Sequence, residues 1–190
     1  DLDVTGNSVS NGHVGLYNID GAGQISGNTF DIEKVGVSAW GIIASDPPDA
    51  VPSPFSEESA AAQAPGGLGA QDMADTLNVA VSGNIVEFSG TDNTATYGIE
   101  ADAGYGPNDL NFTAQDNTVV GFDVGFEIWK CESSCDTGVF TAIAVNNNRI
   151  TGNTTGLRSN LGDTGDPTVD AEDNWWGHDS GPYDGTGSNE

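Results

Sequence analysis

The sequence predicts an all-β fold, a parallel β-helix in which about six coils are stacked on one another. Three observations lead to this prediction. An asparagine-centred motif recurs along the chain, short β-branched runs alternate with turn residues, and glycine is abundant, with 27 copies against 8 prolines. A chain of 190 residues usually forms one domain, so we expect a single β-helix domain over residues 1–190.

The recurring motif places apolar residues at fixed distances from an asparagine. The residue three positions earlier is apolar in every copy, and so is the residue two positions later. The asparagines are Asn7, Asn28, Asn84, Asn117, Asn148 and Asn174. In four copies a glycine followed by an apolar residue comes eight positions after the asparagine, at Gly15, Gly36, Gly125 and Gly156; the third copy has such a pair later, at Gly98.

This spacing predicts a bend of the chain at each asparagine. Side chains alternate between the two faces of a strand, and straight continuation would turn the first residue after the asparagine inward. The apolar residue comes one position later instead, so the alternation shifts at the corner. Glycine and asparagine suit such a corner because both tolerate a left-handed backbone. In stacked coils the asparagines would lie about 4.8 Å apart and could form an amide ladder.

One segment interrupts the repeat. Successive asparagines are 21, 56, 33, 31 and 26 residues apart, so a minimal coil has about 21 residues and the second copy carries the largest excess. We assign this excess to an inserted loop or arm over residues 46–76, which is rich in Pro, Ala and Gly, and we expect a helical segment within 55–64. The arm is either a flap that contacts a partner or a tolerated surface insertion.

The charge is strongly acidic, with 29 Asp and Glu against 4 Lys and Arg, for a net charge of −25. Such a surface repels phosphate backbones and anionic membranes, so we expect no nucleic-acid partner and no membrane insertion. Adaptation to high salt would explain the acidity, since screening removes the self-repulsion. Calcium binding is the alternative explanation, with Asp163, Asp166, Asp170 and Asp173 as candidate ligands.

Two features favour an extracellular location. Cys131 and Cys135 are the only cysteines, and their close spacing predicts a local disulfide formed in an oxidising compartment, with two free thiols as the alternative. Asn111 and Asn153 begin N-x-T glycosylation sequons.

The last repeat ends in D-N-W-W-G-H-D-S-G-P, from Asp173 to Pro182. Together with the G-N-x-apolar motifs, this ending resembles the right-handed parallel β-helix repeat family, whose secreted archaeal and bacterial surface proteins often close with N-W-W-G followed by S-G-P. The likeness covers nearly the whole chain outside the insertion. It implies right-handed coils, which agrees with the usual handedness of parallel crossovers. Trp176 falls on an inward position and should close the core, whereas Trp175 is the candidate contact residue.

These features favour a non-enzymatic structural or adhesive module of a cell-surface protein, an extracellular filament or a virion appendage. We assign no catalytic residue. A polysaccharide-degrading or carbohydrate-binding β-helix is the alternative, and Glu100 and Glu127 are a candidate carboxylate pair for it because each follows a Gly-apolar pair. Leu2 and Val4 occupy core positions with no polar cap before them. We therefore expect the N-terminal coil to contact a second copy or an adjoining domain.

Overall fold

The computed structural model describes residues 2–19, 22–34, 38–45, 76–104, 108–131, 138–161, 165–177 and 181. In these ranges the chain is all-β, with three parallel sheets of five or six strands and no helix. The strands are β1 (Leu2–Thr5), β2 (Ser8–Gly12), β3 (Val14–Ile19), β4 (Gly23–Ser26), β5 (Thr29–Ile32), β6 (Ala39–Ser45), β7 (Thr76–Ser82), β8 (Ile85–Phe88), β9 (Thr96–Ala103), β10 (Asp109–Gln115), β11 (Thr118–Val120), β12 (Val124–Lys130), β13 (Phe140–Asn146), β14 (Arg149–Thr151), β15 (Thr155–Asn160) and β16 (Val169–Asp170).

The chain visits the three sheets in turn. Each strand pairs with the strand three places before it and the strand three places after it, which gives a first sheet β1-β4-β7-β10-β13-β16, a second sheet β2-β5-β8-β11-β14 and a third sheet β3-β6-β9-β12-β15. We call one passage through the three sheets a coil. Among the described residues five coils contribute to all three sheets, and β16 begins a sixth. This repetition of parallel strands fits a β-helix-like solenoid.

The register of the sheets brings equivalent positions of the sequence motif side by side. In the first sheet the residues three positions before each asparagine are paired from coil to coil, from Val4 with Ile25 to Ala114 with Val145. In the second sheet the residues two positions after each asparagine are paired in the same way. The apolar side chains of the repeat thus stack in rows that point into one continuous core.

The core is built from branched aliphatic and aromatic side chains of all three sheets. Its largest fully buried members include Phe30, Phe112, Phe122 and Phe126. Residues on the opposite faces of the same strands are mostly polar and more exposed, as strand alternation requires. Burial of the apolar rows between three sheets supplies the main driving force for folding.

A row of glycines in the third sheet lets this sheet approach the second one closely. The row consists of Gly15, Gly41, Gly98, Gly125 and Gly156. A Cβ atom on Gly41 would lie 2.2 Å from Cγ1 of Val86 and 2.4 Å from the carbonyl oxygen of Gly98. The position in the second coil is therefore occupied by Gly41. The predicted Gly36 lies outside the described residues, so the spacing of eight does not hold in that coil.

The stack continues in register across the insertion. Residues 46–75, with the expected helical segment 55–64, lie outside the described residues. Thr76 already belongs to β7, which pairs in parallel with β4 through Gly23 and Val79. No helix among the described residues is long and apolar enough to cross a membrane.

Candidate functional site

The six asparagines of the repeat form one continuous hydrogen-bonded row at the corner between the first and second sheets. The side-chain Nδ2 of each donates to Oδ1 of the next, over distances of 2.9 to 3.1 Å from Asn7 to Asn174. The same Oδ1 atoms also accept the backbone N–H of the preceding asparagine. The four central asparagines, Asn28, Asn84, Asn117 and Asn148, are each 1% exposed.

Each amide also ties its corner to the backbone of the coil before it. Nδ2 of Asn117 donates to the carbonyl oxygen of Val81 at 2.9 Å, and Nδ2 of Asn148 donates to that of Ala114 at 3.0 Å. A buried corner in which strands cannot pair would leave backbone groups without partners, which is costly. The ladder supplies these partners within the protein.

The left-handed residue at this corner is the one before the ladder asparagine. Gly6, Gly27 and Gly83 have φ between 62° and 68°, and Asp116, Asn147 and Asp173 have φ of 57° or 58° in the later coils. Our expectation that the ladder asparagine itself could be left-handed was wrong, because the turn is completed one residue earlier. The asparagine follows in a non-left-handed backbone, and its amide points along the stack.

A second polar corner, between the second and third sheets, was not foreseen. Oδ1 of Asn153 accepts the backbone N–H of Phe122 at 2.9 Å, and its Nδ2 donates to the carbonyl oxygen of Val119 at 3.1 Å. Gly152, just before it, has a φ of 67°, as at the first corner. The tripeptide T-G-N, shared by Asn7 and Asn153, was the sequence signal for this similarity.

The two sequons differ in their surroundings. A glycan on Asn153 would replace a proton of the Nδ2 atom that donates to Val119. Asn111 lies in β10, where its Nδ2 donates to Oδ1 of Asn78 on the exposed face of the first sheet. Of the two, the structure favours Asn111 as a glycan acceptor.

The outer face of the third sheet carries a row of stacked rings. The indole of Trp40 and the phenol ring of Tyr97 are stacked, with centroids 5.8 Å apart and planes 17° apart. His13 packs edge-on against the other side of Trp40 at 6.2 Å, and the guanidinium carbon of Arg158 lies 5.7 Å from the Tyr97 centroid. Arg158 thereby reaches past the smaller Val124, which occupies the same position in the intervening coil.

Two carboxylates lie beside this row in neighbouring strands. Glu100 and Glu127 are paired in the register of β9 and β12, and Glu127 is 6% exposed. Glu127 accepts two hydrogen bonds from Arg158, at 2.8 Å and 2.6 Å, and Nε1 of Trp40 donates to Glu100 at 2.7 Å. The predicted carboxylate pair is therefore adjacent, but each member is already engaged by a neighbouring side chain.

Their environments differ in a way that affects protonation. Burial raises the pKa of the Glu100 carboxyl to about 6; the hydrogen bond from Trp40 opposes this rise, and the negative charge of Glu127 adds to it. The hydrogen bonds from Glu127 raise the pKa of Arg158, so this guanidinium stays charged. One carboxyl can thus be protonated near neutral pH while its neighbour faces a permanent cation, an arrangement that is common at catalytic sites.

The predicted calcium ligands have other partners where they are described. Asp166 pairs with Lys130 at 2.5 Å, and Asp170 accepts a hydrogen bond from Asn146. Asp173 is the left-handed residue of its corner, and Asp163 lies outside the described residues. Within the described ranges no group of three or more His, Cys, Asp or Glu side chains could hold a metal ion. The calcium site stays a prediction.

The remaining predicted residues are the cysteines and the two tryptophans near the end of the repeat. Cys131 directly follows β12, and its backbone N–H donates to Ala103; Cys135 lies outside the described residues, so their disulfide stays a prediction. Trp176 packs against the core, and Trp175 is 45% exposed on the outer face of the second sheet. In comparisons with known proteins, no family model, curated protein or solved structure matches this chain.

Proposed function

We propose that the chain is a right-handed parallel β-helix of about six coils that serves as a non-enzymatic, extracellular structural or adhesive module, in a cell-surface protein, a filament or a virion appendage. The asparagine ladder carries this proposal, because it joins every coil to the next through buried hydrogen bonds. A right-handed coil is the usual handedness of parallel crossovers. The fold alone does not specify an activity, so the argument depends on how the side chains are used.

The distribution of charge supports a structural or adhesive role over a catalytic one. The ion pairs on the described surface, such as Arg158 with Glu127 and Lys34 with Asp92, join neighbouring coils and hold the stack together. A strongly acidic surface suits exposure to concentrated salt, where its repulsion is screened and its hydration keeps the protein soluble. Stacked coils about 4.8 Å apart provide a stiff spacer whose length is proportional to the number of coils.

Labelling of intact cells of the source organism tests this proposal. An antibody raised against the purified chain should bind the surface of unpermeabilised cells or particles, and electron microscopy should locate the label on an envelope layer, a filament or an appendage. An antibody against a cytoplasmic protein is the control. Label that appears only after the cells are permeabilised would contradict the proposal.

The partner is another copy or an adjoining domain at the first coil. Strands β1, β2 and β3 form one end of the three sheets, and within the described residues each pairs on one side only. Proteins normally cover such strand edges. Light scattering after size exclusion should show concentration-dependent association of the purified chain in molar salt. A monomer at every concentration would exclude self-assembly and favour an adjoining domain.

The second candidate function is cleavage of a polysaccharide, and the adjacent Glu100 and Glu127 favour it. Carboxyl groups about 5 to 5.5 Å apart suit a retaining glycosidase, in which the group with the raised pKa is the general acid. Against this, both oxygens of Glu127 already accept hydrogen bonds from Arg158. Release of reducing ends from polysaccharides tests this function. Both Glu100→Gln and Glu127→Gln should abolish any cleavage, whereas the exposed Glu87→Gln should retain it; equal rates in all variants would exclude the site.

A further inference from the structure

The outer face of the second sheet divides into an acidic half and a half without acids. The outward residues of β5 and β8 are Thr29, Asp31, Ile85 and Glu87. Further along the stack, the outward residues are Thr118, Val120, Arg149, Thr151, Trp175 and Gly177. We call this second group the Arg149–Trp175 strip. It contains no carboxylate, although the chain has about seven acidic residues for each basic one.

Arg149 differs from the other three basic side chains. Lys34, Lys130 and Arg158 each form an ion pair, at 3.1, 2.5 and 2.6 Å. Arg149 is exposed and forms no ion pair with any residue in the described part of the chain. In so acidic a protein, an exposed arginine in an acid-free strip is available to an anion from outside.

Trp175 lies beside this arginine. The two residues are bridged in parallel register, so their side chains leave the same face about 5 Å apart. Trp175 is 45% exposed, and Ile85 in the same outward row is 44% exposed, which makes them the most exposed large apolar side chains in the described ranges. A fixed indole next to a planar guanidinium offers an apolar surface and a bidentate carboxylate donor together.

We propose that the Arg149–Trp175 strip binds an acidic saccharide, with Arg149 holding a sugar carboxylate and Trp175 packing against the apolar face of a sugar ring. This inference names a ligand for the adhesive role proposed above and rests on that role. The site is separate from Glu100 and Glu127, which lie on the third sheet.

The size of the strip decides between a saccharide and a protein partner. Three neighbouring strands with two outward positions each present a face of about 15 Å by 10 Å, or on the order of 150 Å². A stable protein interface buries about 800 Å² on each partner. A narrow linear chain that lies along the stack can use this strip, whereas a folded protein would need much more surface.

The net charge of the protein does not prevent this binding in salt. At low ionic strength 25 excess negative charges repel an anionic ligand over long distances. The screening length falls to about 3 Å at 1 M salt, so remote carboxylates then have little effect while the direct contact with Arg149 remains. Binding should therefore be measured in molar salt.

An NMR titration of the full chain with a short oligogalacturonate, in 1 M sodium chloride, tests the proposal. The Nε–H signal of Arg149 and the indole N–H signal of Trp175 should shift. Arg149→Gln and Trp175→Ala should each weaken binding about tenfold or more. Arg149→Lys, which keeps the charge but loses the planar donor pair, should also weaken it. Matched controls are Lys34→Gln, a basic residue on another corner, and Tyr17→Ala, an exposed ring on the third sheet; both should bind as the natural chain does.

Two comparisons of ligands complete the test. The methyl-esterified oligomer, which lacks the carboxylates, should bind far more weakly, and a short polyglutamate should not bind at the strip. Equal binding of the esterified oligomer would overturn the role of Arg149, and equal binding of polyglutamate would assign the strip to an acidic peptide instead. Absence of any shift with the natural chain would overturn the inference alone, because surface labelling of cells tests the adhesive role separately.

Discussion

The asparagine side chain makes the first corner possible because it both donates and accepts along the stack. Each central asparagine donates to the next amide and to a backbone carbonyl, and its oxygen accepts two N–H groups of the preceding asparagine. The groups are buried, so water cannot replace a missing partner. A mutation at one ladder position therefore affects three neighbouring coils.

Asn117→Ala should lower the free energy of unfolding by about 2 to 4 kcal/mol, because it leaves the buried amide and N–H of Asn84 without their acceptor and removes the donors to Val81 and Asn148. Denaturant unfolding measures the change. Asn78→Ala is the matched control, since this exposed asparagine bonds to Asn111 on the outer face and its loss should cost about 0.5 kcal/mol or less. Equal effects of the two substitutions would refute the structural role of the ladder.

Glu100 should make stability depend on pH in a defined direction. Its pKa in the folded protein, about 6, is above the ordinary value of 4.5, so the folded state binds the proton more tightly. This contribution is fully present below about pH 4.5 and is lost as the pH rises through 6. The loss amounts to at most about 2 kcal/mol, at 1.36 kcal/mol for each pKa unit. Glu100→Gln should remove this part of the pH dependence and should be more stable than the natural chain above pH 6.

Trp40→Phe provides a second measurement of the same group. The hydrogen bond from Trp40 stabilises the charged form of Glu100, so its removal should raise the pKa of Glu100 further and extend the loss of stability to higher pH. The titration of the Glu100 carboxyl carbon, followed by NMR, reports the pKa directly. A pKa that falls in the Trp40→Phe variant would contradict this assignment of causes.

Individual strands are short, and their stability comes from pairing with the coils on either side. The third sheet shows how closely the elements must approach, since its glycine row leaves no room for side chains between this sheet and the second one. Strand β6 contributes Gly41 to this row and Ile42 to the core, and it pairs with β3 and β9.

Gly41→Ala should lower the free energy of unfolding by about 3 kcal/mol or more, because the new methyl group would overlap Val86 and the backbone of Gly98. Gly27→Asn is the matched control. Gly27 has a φ of 62° with no atom within 4 Å of a Cβ at that position, and Asn147 occupies the equivalent turn with a φ of 57°. Thermal unfolding should therefore show a large loss for Gly41→Ala and a small one for Gly27→Asn. The reverse order would mean that turn conformation matters more than sheet spacing.

Over the whole molecule, 25 excess negative charges oppose the compact state when salt does not screen them. The melting temperature should therefore rise between dilute buffer and molar sodium or potassium chloride. The measurement is thermal unfolding at a series of salt concentrations with no divalent cation. A flat curve in monovalent salt, together with a rise in millimolar calcium alone, would favour calcium as the reason for the acidity.

The main parts of the fold could be predicted because they depend on short-range patterns. The ladder positions follow from apolar residues within a few positions of each asparagine, and corresponding positions of successive motifs pair in the sheets. The third strand of the second coil was harder, since loops of variable length separate it from the corner. For the same reason the T-G-N at Asn153 was interpreted as a sequon, although its amide serves a second corner.

The sequence by itself determined the repeating coil, its inward rows and the ladder, because alternation and turn preference act over a few residues. Only the tertiary structure decided which outward side chains became neighbours. Trp40, Tyr97 and Arg158 are about 60 residues apart in sequence, yet they stack along one face of the third sheet. The physical reason is that each insertion changes the sequence distance between coils without changing their spacing in the stack. Contacts between outward residues therefore depend on the register of the sheets, which the pattern around the asparagines does not specify for the third strand.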